Sequence, residues 1–189
     1  MAVYHGRPMR KLFDWAVTLA AAVAFVLVFE AEIAKPFRIP SGSMETTLLC
    51  AKPGADCTGR FNDRVIANRL AYRFGDPRRG QIVVFQAPKD ACGVGGTFVK
   101  RLIGLPGDVV SEKNGFVSVN GTRLHEPYVQ PDLRDHITKT WRVPAGRYFF
   151  MGDDRANSCD SRTWGAVPRS SLVGPVQLIY WPPTRWRWF

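Results

Sequence analysis

An apolar run from Trp15 to Phe29, broken only by Thr18, is the strongest hydrophobic pattern in the chain. Leu12 and Phe13 extend it at the N-terminal end, towards the roughly 20 residues that a membrane-spanning helix needs. Charged residues flank the run on both sides: Arg7, Arg10 and Lys11 before it, Glu30 and Glu32 after it. We predict a transmembrane anchor over residues 12–32.

A cleaved signal peptide and a buried core helix are the alternative interpretations of this run. A signal peptide requires small residues at positions −3 and −1 of its cleavage site. Ala31 has Phe29 two residues upstream, and Ala34 has Glu32 there, so neither position offers a good site. The membrane anchor is therefore the favoured interpretation.

The charges around the anchor predict its orientation. Basic residues that flank a membrane span prefer the cytoplasmic side, and three of them precede the apolar run, although Lys35 and Arg38 beyond it reduce the asymmetry. We therefore predict a short cytoplasmic segment over residues 1–11. The remaining residues, 33–189, are predicted to form a domain on the extracytoplasmic side of the cell membrane.

Past Pro36 the pattern changes to short apolar runs between turn residues, which is typical of β-strands. The predicted strands include Gln81–Phe85, Phe98–Ile103, Tyr148–Met151 and Leu172–Tyr180. Two Asn-Gly pairs divide the segment Val109–Leu124 into short alternating runs, which predicts a β-meander. Lys89–Gly96 and Gln130–Lys139 are expected to be the least ordered segments. The predicted fold class is mainly β, a compact domain behind one helix.

Composition adds a basic excess, with 26 Lys and Arg against 16 Asp and Glu and a net charge of +10. The basic residues are scattered and no nucleic-acid-binding motif accompanies them, so we expect no nucleic-acid partner. The four cysteines form no CxxC pair, which gives no indication of a metal site. Cys50 and Cys57 bracket a short loop and form either a disulfide or two free thiols, while the pattern leaves Cys92 and Cys159 unassigned.

Three segments combine residues that suit catalysis. They are Pro36–Met44 (PFRIPSGSM), Phe98–Asp108 (FVKRLIGLPGD) and Met151–Pro168 (MGDDRANSCDSRTWGAVP). In this order behind an N-terminal anchor, the chain resembles type I signal peptidases, the serine proteases that remove signal peptides from exported proteins. The resemblance extends from the anchor to about Trp181. It implies a signal-peptidase-like β domain of coiled antiparallel sheets.

Ser43 lies in a Gly-containing turn of the first segment, and a serine hydroxyl is a weak nucleophile unless a nearby base accepts its proton. None of the three histidines lies in the three segments, and the chain has no G-x-S-x-G motif. A Ser-His-Asp triad is therefore unsupported, which leaves Lys100 as the base of a Ser-Lys dyad. An ordinary loop serine and a surface lysine are the alternatives, and the surrounding motifs disfavour both.

A lysine must lose its charge before it can act as a base, and its reference pKa is about 10.4. Burial lowers the pKa of an amine because it penalises the charged form. Strand alternation places Phe98, Lys100 and Leu102 on one face. We therefore expect the Lys100 amine to be buried among apolar side chains.

The resemblance implies roles for further residues. The Ser43 backbone N–H and the Ser41 hydroxyl would form the oxyanion hole, and Ser158 would hydrogen-bond and orient the Lys100 amine. Asp160 and Arg162 would form a supporting ion pair. Shallow pockets for small substrate side chains would be lined by Phe37, Ile39, Pro40, Met44 and Val99. No cofactor and no metal ion are implied.

The expected partners are exported preproteins with signal peptides, membrane lipid and the secretion translocon. Two other functions compete: a related Ser-Lys protease, either one that matures a single substrate such as a pilin-like conjugation protein or a self-cleaving repressor, and an anchored β-domain scaffold without activity. The anchor and the lack of a helix-turn-helix segment disfavour the repressor. The presence of both Ser43 and Lys100 favours an enzyme. The C-terminal segment Trp181–Phe189 mixes aromatic residues with arginines and is either an interfacial contact or a frayed end.

Overall fold

A long N-terminal helix precedes the β domain. The computed structural model of the protein describes residues 8–54, 56–93 and 95–189, so the predicted cytoplasmic residue Arg7 lies outside the described residues. Helix α1 (Pro8–Glu32) contains an 18-residue window, Lys11–Val28, with a mean hydropathy of 1.9. None of this window is buried against the rest of the protein. The exposed apolar sides of α1 rule out a buried core helix. Its length and composition suffice for a membrane span.

The remainder of the described chain is mainly β, as predicted. Its strands are β1 Ala34–Arg38, β2 Arg64–Asn68, β3 Ile82–Ala87, β4 Gly96–Gly104, β5 Val109–Lys113, β6 Phe116–Val119, β7 Thr122–Arg123, β8 Thr138–Arg142, β9 Arg147–Met151, β10 Val167–Pro168, β11 Leu172–Trp181 and β12 Arg187–Trp188. The helices after α1 are short: α2 Ala71–Phe74, α3 Ser161–Trp164 and the 3-10 turns Gly42–Met44, Ala91–Gly93, Pro131–Leu133, Arg169–Ser171 and Pro183–Arg185.

The strands form two antiparallel sheets. The larger sheet has the order β1-β2-β11-β3-β4-β9-β10, with β12 added beside β11, and the smaller has the order β7-β6-β5-β8. The predicted meander is confirmed as β5, β6 and β7. Asn114 and Asn120 each have a positive φ, as do the glycines that follow them, which is the conformation that tight Asn-Gly hairpin turns require.

Strand β4 separates two parts of the hydrophobic core. Val99 packs against the cluster around Met44 and Val84, whereas Phe98 packs against another cluster that contains Leu102. The side chains of β4 therefore alternate between two apolar environments, as strand geometry requires. This alternation confirms the predicted shared face of Phe98 and Leu102.

Two segments that we expected to be poorly ordered make contacts with distant parts of the chain. In Gln130–Lys139, Arg134 donates to the carbonyl of Gly115 at 2.6 Å, and the chain then enters β8. For this segment the expectation was wrong, because local composition does not reveal contacts to distant residues. In Lys89–Gly96, Cys92 is joined to Cys159 by a disulfide, but residue 94 lies outside the described residues, so the expectation for this segment stays a prediction.

The C-terminal segment is also ordered, so the interpretation of a frayed end is wrong. Strand β12 pairs with β11, and the N–H of Phe189 donates to the carbonyl of Gln177 at 2.9 Å. The Arg185 guanidinium forms an ion pair with the buried carboxylate of Asp63 at 2.9 Å. These contacts hold the segment against the larger sheet.

Candidate active site

The Lys100 amine donates a hydrogen bond to the Ser43 hydroxyl, although 57 positions separate the two residues. Lys100 lies on β4 and is only 4% exposed, while Ser43 lies in the 3-10 turn Gly42–Met44. The Phe98 ring centroid is 5.9 Å from the amine nitrogen. The fold therefore brings the predicted nucleophile and the predicted base into direct contact in an occluded, partly apolar environment.

Burial lowers the pKa of the Lys100 amine from 10.5 to about 8. The largest cause is desolvation of the charged form. The carboxylates of Asp160 and Asp153 act in the opposite direction, and the Arg162 guanidinium lowers the pKa further. Near pH 8 a substantial fraction of the amine is therefore neutral and able to accept a proton.

Glycine is required at position 42, beside the candidate nucleophile. A Cβ atom on Gly42 would lie 2.1 Å from the carbonyl oxygen of Asp56, which belongs to the loop closed by the Cys50–Cys57 disulfide. The Ser43 carbonyl accepts a hydrogen bond from the N–H of Asp154 at 3.2 Å. The turn is thus held from both sides, which fixes the direction of the Ser43 side chain.

Ser41, a predicted oxyanion-hole residue, lies at the start of the same turn. Its hydroxyl oxygen is 3.4 Å from the Ser43 hydroxyl oxygen, at the long end of hydrogen-bond distances. The N–H groups in the first turn of a helix have no acceptor within that helix, and Ser43 belongs to this turn. The Ser41 hydroxyl and the Ser43 N–H are therefore two hydrogen-bond donors close to the Ser43 hydroxyl.

The predicted Asp160–Arg162 ion pair is present and buried. Nitrogen atoms of the Arg162 guanidinium lie 2.9 Å from each Asp160 carboxylate oxygen, and one of those oxygens also accepts from the N–H of Gly152 at 2.9 Å. Arg162 additionally pairs with Asp135 and lies 3.5 Å from Glu112. The pair therefore fixes the backbone that approaches the carbonyl of Ser43.

Ser158 differs from its predicted role. Its hydroxyl is buried and has no hydrogen-bond partner among the described residues, whereas the Lys100 amine donates to Ser43. The Ser158 side chain lies against Gly152, where an added Cβ atom would be 2.2 Å from the hydroxyl oxygen. The predicted hydrogen bond between Ser158 and Lys100 is therefore absent from this structure.

An apolar cleft of about 540 Å³ ends at the Ser43 and Lys100 side chains. Its lining includes every predicted substrate-binding residue: Phe37, Ile39, Pro40, Met44 and Val99. The structure adds wall residues that the sequence did not indicate, among them Phe98, Asn157 and the disulfide-bonded Cys92 and Cys159. This disulfide joins the segment before β4 to the residue that follows Ser158, so it closes one side of the cleft.

Sequence reasoning also missed a polar network behind the turn of Ser43. The Arg101 guanidinium donates two hydrogen bonds to the Asp153 carboxylate, at 2.8 and 2.6 Å. The Thr47 hydroxyl donates to the same carboxylate at 2.6 Å, and Glu45 accepts from the N–H of Cys50 at 3.0 Å. Arg101 directly follows Lys100 and Asp153 lies in the third of the catalytic segments, which was a usable signal, but the pairing of the two residues could not be read from the sequence.

An apolar cleft that leads to a serine hydroxyl and a buried lysine amine has the components of a serine peptidase whose base is lysine instead of histidine. The family model described as signal peptidase, peptidase S26, matches residues 12–181. The chain belongs to this family.

Individual relatives extend this finding over most of the chain. The chain is 40% identical to the probable signal peptidase I-2 of Synechocystis sp., over 94% of this chain and 77% of that protein. It is 36% identical to signal peptidase I of Leptolyngbya laminosa, over 92% and 82%, and 33% identical to signal peptidase IB of Staphylococcus aureus, over 92% and 91%.

A solved structure of a signal peptidase I from Enterococcus faecalis V583 aligns with a TM-score of 0.46 and 32% identity. The alignment covers 53% of this chain and 97% of that chain.

As a member of the signal peptidase family, the protein is a serine endopeptidase that removes signal peptides from preproteins. The exposed apolar helix α1, together with the signal peptidase I relatives, indicates that the protein is membrane-anchored.

We predict that Asp160→Ala lowers the free energy of unfolding by about 3–5 kcal/mol, because it leaves the buried Arg162 charge without its main partner. Asp76→Ala is the matched control, since Asp76 forms an ion pair with Arg169 while its side chain is 88% exposed. That loss should cost less than about 1 kcal/mol. Urea unfolding of the detergent-solubilised full chain measures both values, and equal losses would contradict the scaffold role of Asp160.

Proposed function

We propose that Ser43 is the nucleophile of this signal peptidase and that Lys100 is its general base. The observation that carries the proposal is the hydrogen bond from the buried Lys100 amine to the Ser43 hydroxyl. In the neutral state, the amine accepts the Ser43 proton as the hydroxyl oxygen attacks the scissile carbonyl carbon. The proton then passes to the leaving amine, and the acyl-enzyme is hydrolysed by a water that Lys100 deprotonates.

The tetrahedral intermediate carries a negative oxygen that needs hydrogen-bond donors. We assign this role to the Ser43 backbone N–H and the Ser41 hydroxyl, which lies 3.4 Å from the Ser43 hydroxyl oxygen. Donors aimed at developing charge usually contribute a large part of the rate enhancement. Asp160 and Arg162 support the site indirectly, since they fix Gly152 beside the carbonyl of Ser43.

The cleft supports selection of small side chains next to the scissile bond. Phe37, Ile39, Pro40, Met44 and Val99 line it, and an extended preprotein segment fits such a cleft as an additional strand. We infer that the subsites within these apolar walls accept alanine at positions −1 and −3 and exclude bulky residues by steric overlap. The substrate class is therefore preproteins whose signal peptides end in small-X-small sequences.

We infer that the anchor holds this cleft near the membrane. Phe37 follows the end of α1 by five residues, a span of about 17 Å in an extended strand. A signal peptide that crosses the same bilayer would present its cleavage site at a comparable height. We infer that the β domain lies on the extracytoplasmic side and works beside the secretion translocon, where preproteins emerge.

We predict that Ser43→Ala and Lys100→Met each lower kcat/KM for a preprotein ending in Ala-X-Ala by about a thousandfold or more, because each removes one member of the dyad. Ser118→Ala and Lys113→Met, both on the smaller sheet, are the matched controls and should retain full activity. Cleavage is measured by gel shift of the purified preprotein. Wild-type turnover by either dyad variant would contradict the proposed mechanism. Efficient cleavage after a bulky −1 residue would instead contradict the proposed selection of small side chains.

We predict that kcat/KM rises with pH through about 8, the pKa to which burial lowers the Lys100 amine. Below that pKa the amine is protonated and cannot accept the Ser43 proton, so the rate should decline about tenfold per pH unit. Above it the amine is neutral and the rate should level off. A profile that stays flat through mildly acidic pH would indicate a different base.

We predict that Lys139→Cys is labelled by a membrane-impermeant thiol reagent in intact cells. Lys139 is exposed, and the cysteines of the described residues are all in disulfides, so the introduced thiol is the reactive one. The unsubstituted chain serves as the control for background labelling. Labelling that requires cell lysis would place the β domain on the cytoplasmic side.

A further inference from the structure

Glu112 is a buried acidic residue that the proposed mechanism does not use. It lies on β5, between β6 and β8 in the smaller sheet, and its side chain is 0% exposed. Val110, two positions earlier on the same face of the strand, belongs to a core cluster that also contains Val117. Glu112 therefore projects a carboxyl group from the core side of the smaller sheet.

Neither carboxyl oxygen of Glu112 has a hydrogen-bond partner among the described residues. The Arg162 Nη1 atom lies 3.5 Å from one of these oxygens, a distance that allows an ion pair but exceeds the range of normal hydrogen bonds. An ionised carboxylate that is buried without hydrogen bonds is costly, and such a group takes up a proton instead. The geometry therefore favours the protonated, neutral acid at this position.

The Arg162 guanidinium is already committed to other acceptors. Its Nε and Nη2 atoms each donate to Asp160 at 2.9 Å. Nη2 also donates to the carbonyl of Arg155 at 2.8 Å, and Nη1 contacts Asp135. An ionised Glu112 would therefore have to compete with two other carboxylates for the same positive charge.

The remaining charged groups near Glu112 do not remove this competition. Arg155 also acts on Glu112, but it is paired with the buried carboxylate of Glu126. Lys139 on β8 is the residue opposite Glu112 in the sheet, but it is exposed, and the opposite residue on β6, Val117, is apolar. Within the described residues, the carboxyl groups around Glu112 thus outnumber the two guanidiniums.

These surroundings raise the pKa of the Glu112 carboxyl group from 4.5 to about 7. The largest cause is desolvation of the charged form by burial, which the Arg162 guanidinium opposes and the Asp135 carboxylate reinforces. Glu112 therefore changes its charge near neutral pH, whereas an ordinary glutamate is fully ionised there.

Arg162 connects Glu112 to the candidate active site. The Asp160 carboxylate raises the pKa of the Lys100 amine, and the Arg162 guanidinium lowers it. Asp160 also accepts a hydrogen bond from the N–H of Gly152, beside the turn of the candidate nucleophile. A negative charge on Glu112 would partly cancel the field of Arg162 and so raise the pKa of the Lys100 amine.

We propose that Glu112 is a positioning residue that holds a proton in the folded protein at neutral pH and below, and thereby leaves the Arg162 guanidinium to Asp160. When Glu112 loses this proton, its carboxylate competes with Asp160 for Arg162 and favours the charged form of Lys100. The protonation of Glu112 is independent of the proposed dyad, whereas its effect on the cleavage rate rests on Lys100 as the base.

Infrared spectroscopy of the detergent-solubilised full chain tests the proton directly, because a protonated carboxyl group has a C=O stretching band that an ionised carboxylate lacks. The difference between the spectra of the unsubstituted chain and Glu112→Gln isolates this band. It should be present near pH 6 and decline with a midpoint at about pH 7. Asp132→Asn, which removes an exposed carboxyl group, is the control and should leave the band in place. Absence of the band near pH 6 would overturn the proposal.

Asp135→Asn is a second variant, which keeps Glu112 and serves if Glu112→Gln does not fold. It removes a carboxylate that raises the pKa of Glu112 and releases the Arg162 Nη1 atom. The midpoint of the band should therefore move to lower pH, by about 1 unit. An unchanged midpoint would overturn the proposal, since the titrating carboxyl group would then lie elsewhere in the chain.

Preprotein cleavage tests the link to Lys100. Glutamine carries no charge at any pH, so Glu112→Gln differs in charge from the unsubstituted chain only where Glu112 is ionised. The ratio of kcat/KM for Glu112→Gln to that of the unsubstituted chain should rise about two- to threefold between about pH 6 and pH 8. The same ratio for Asp132→Asn should stay constant.

A constant ratio for Glu112→Gln would overturn the positioning role, because a purely structural residue changes the rate by the same factor at every pH. Failure of the proposed dyad is distinguishable from this outcome. It would appear as retained cleavage by Lys100→Met and would leave the infrared band of Glu112 unaffected.

Discussion

The buried amine of Lys100 is the constraint on which the rest of the site depends. Burial lowers its pKa from 10.5 to about 8. This shift means that burial destabilises the charged form by roughly 3 kcal/mol relative to the neutral form. The fold must keep water away from one nitrogen atom while leaving an open cleft beside it. Strand β4 achieves both because Lys100 is covered on the core side and meets Ser43 on the cleft side. A more exposed lysine would keep its proton at neutral pH and could not serve as the proposed base.

The arginines around the site help to keep the pKa of the Lys100 amine low. The carboxylates of Asp160 and Asp153 would stabilise the charged form of Lys100, and both raise its pKa. Each carboxylate is paired with a guanidinium, Asp160 with Arg162 and Asp153 with Arg101. Because a paired carboxylate exerts a weaker net field on the amine, the two ion pairs let these acids anchor the backbone without restoring the charge of the Lys100 amine. The proposed reaction uses neither carboxylate, and this structural role explains why the site contains both.

The residues that could be predicted from the sequence are those within contiguous motifs. The strand pattern of Phe98–Ile103, the meander with its Asn-Gly turns and the positions of Ser43 and Lys100 all follow from local periodicity or motif order. Contacts between distant segments could not be predicted this way. The pairing of Arg101 with Asp153, the Cys92–Cys159 disulfide in the cleft wall and the attachment of Arg185 to Asp63 depend on the folded arrangement. Ser158 illustrates the same limit, since its motif position suggested a hydrogen bond that its side-chain direction does not produce.

Strand β1 links helix α1 to the turn that contains Ser43. It begins two residues after α1 ends, pairs with β2 along its whole length and leads into Ile39 and the turn of Ser43. The height of the nucleophile above the bilayer is therefore set by covalent geometry and strand pairing. One helix with one strand still leaves the domain free to rotate about the helix axis. A cleft that receives an extended substrate from the same bilayer needs that rotation restricted, because the direction of β1 decides whether the substrate can align beside it.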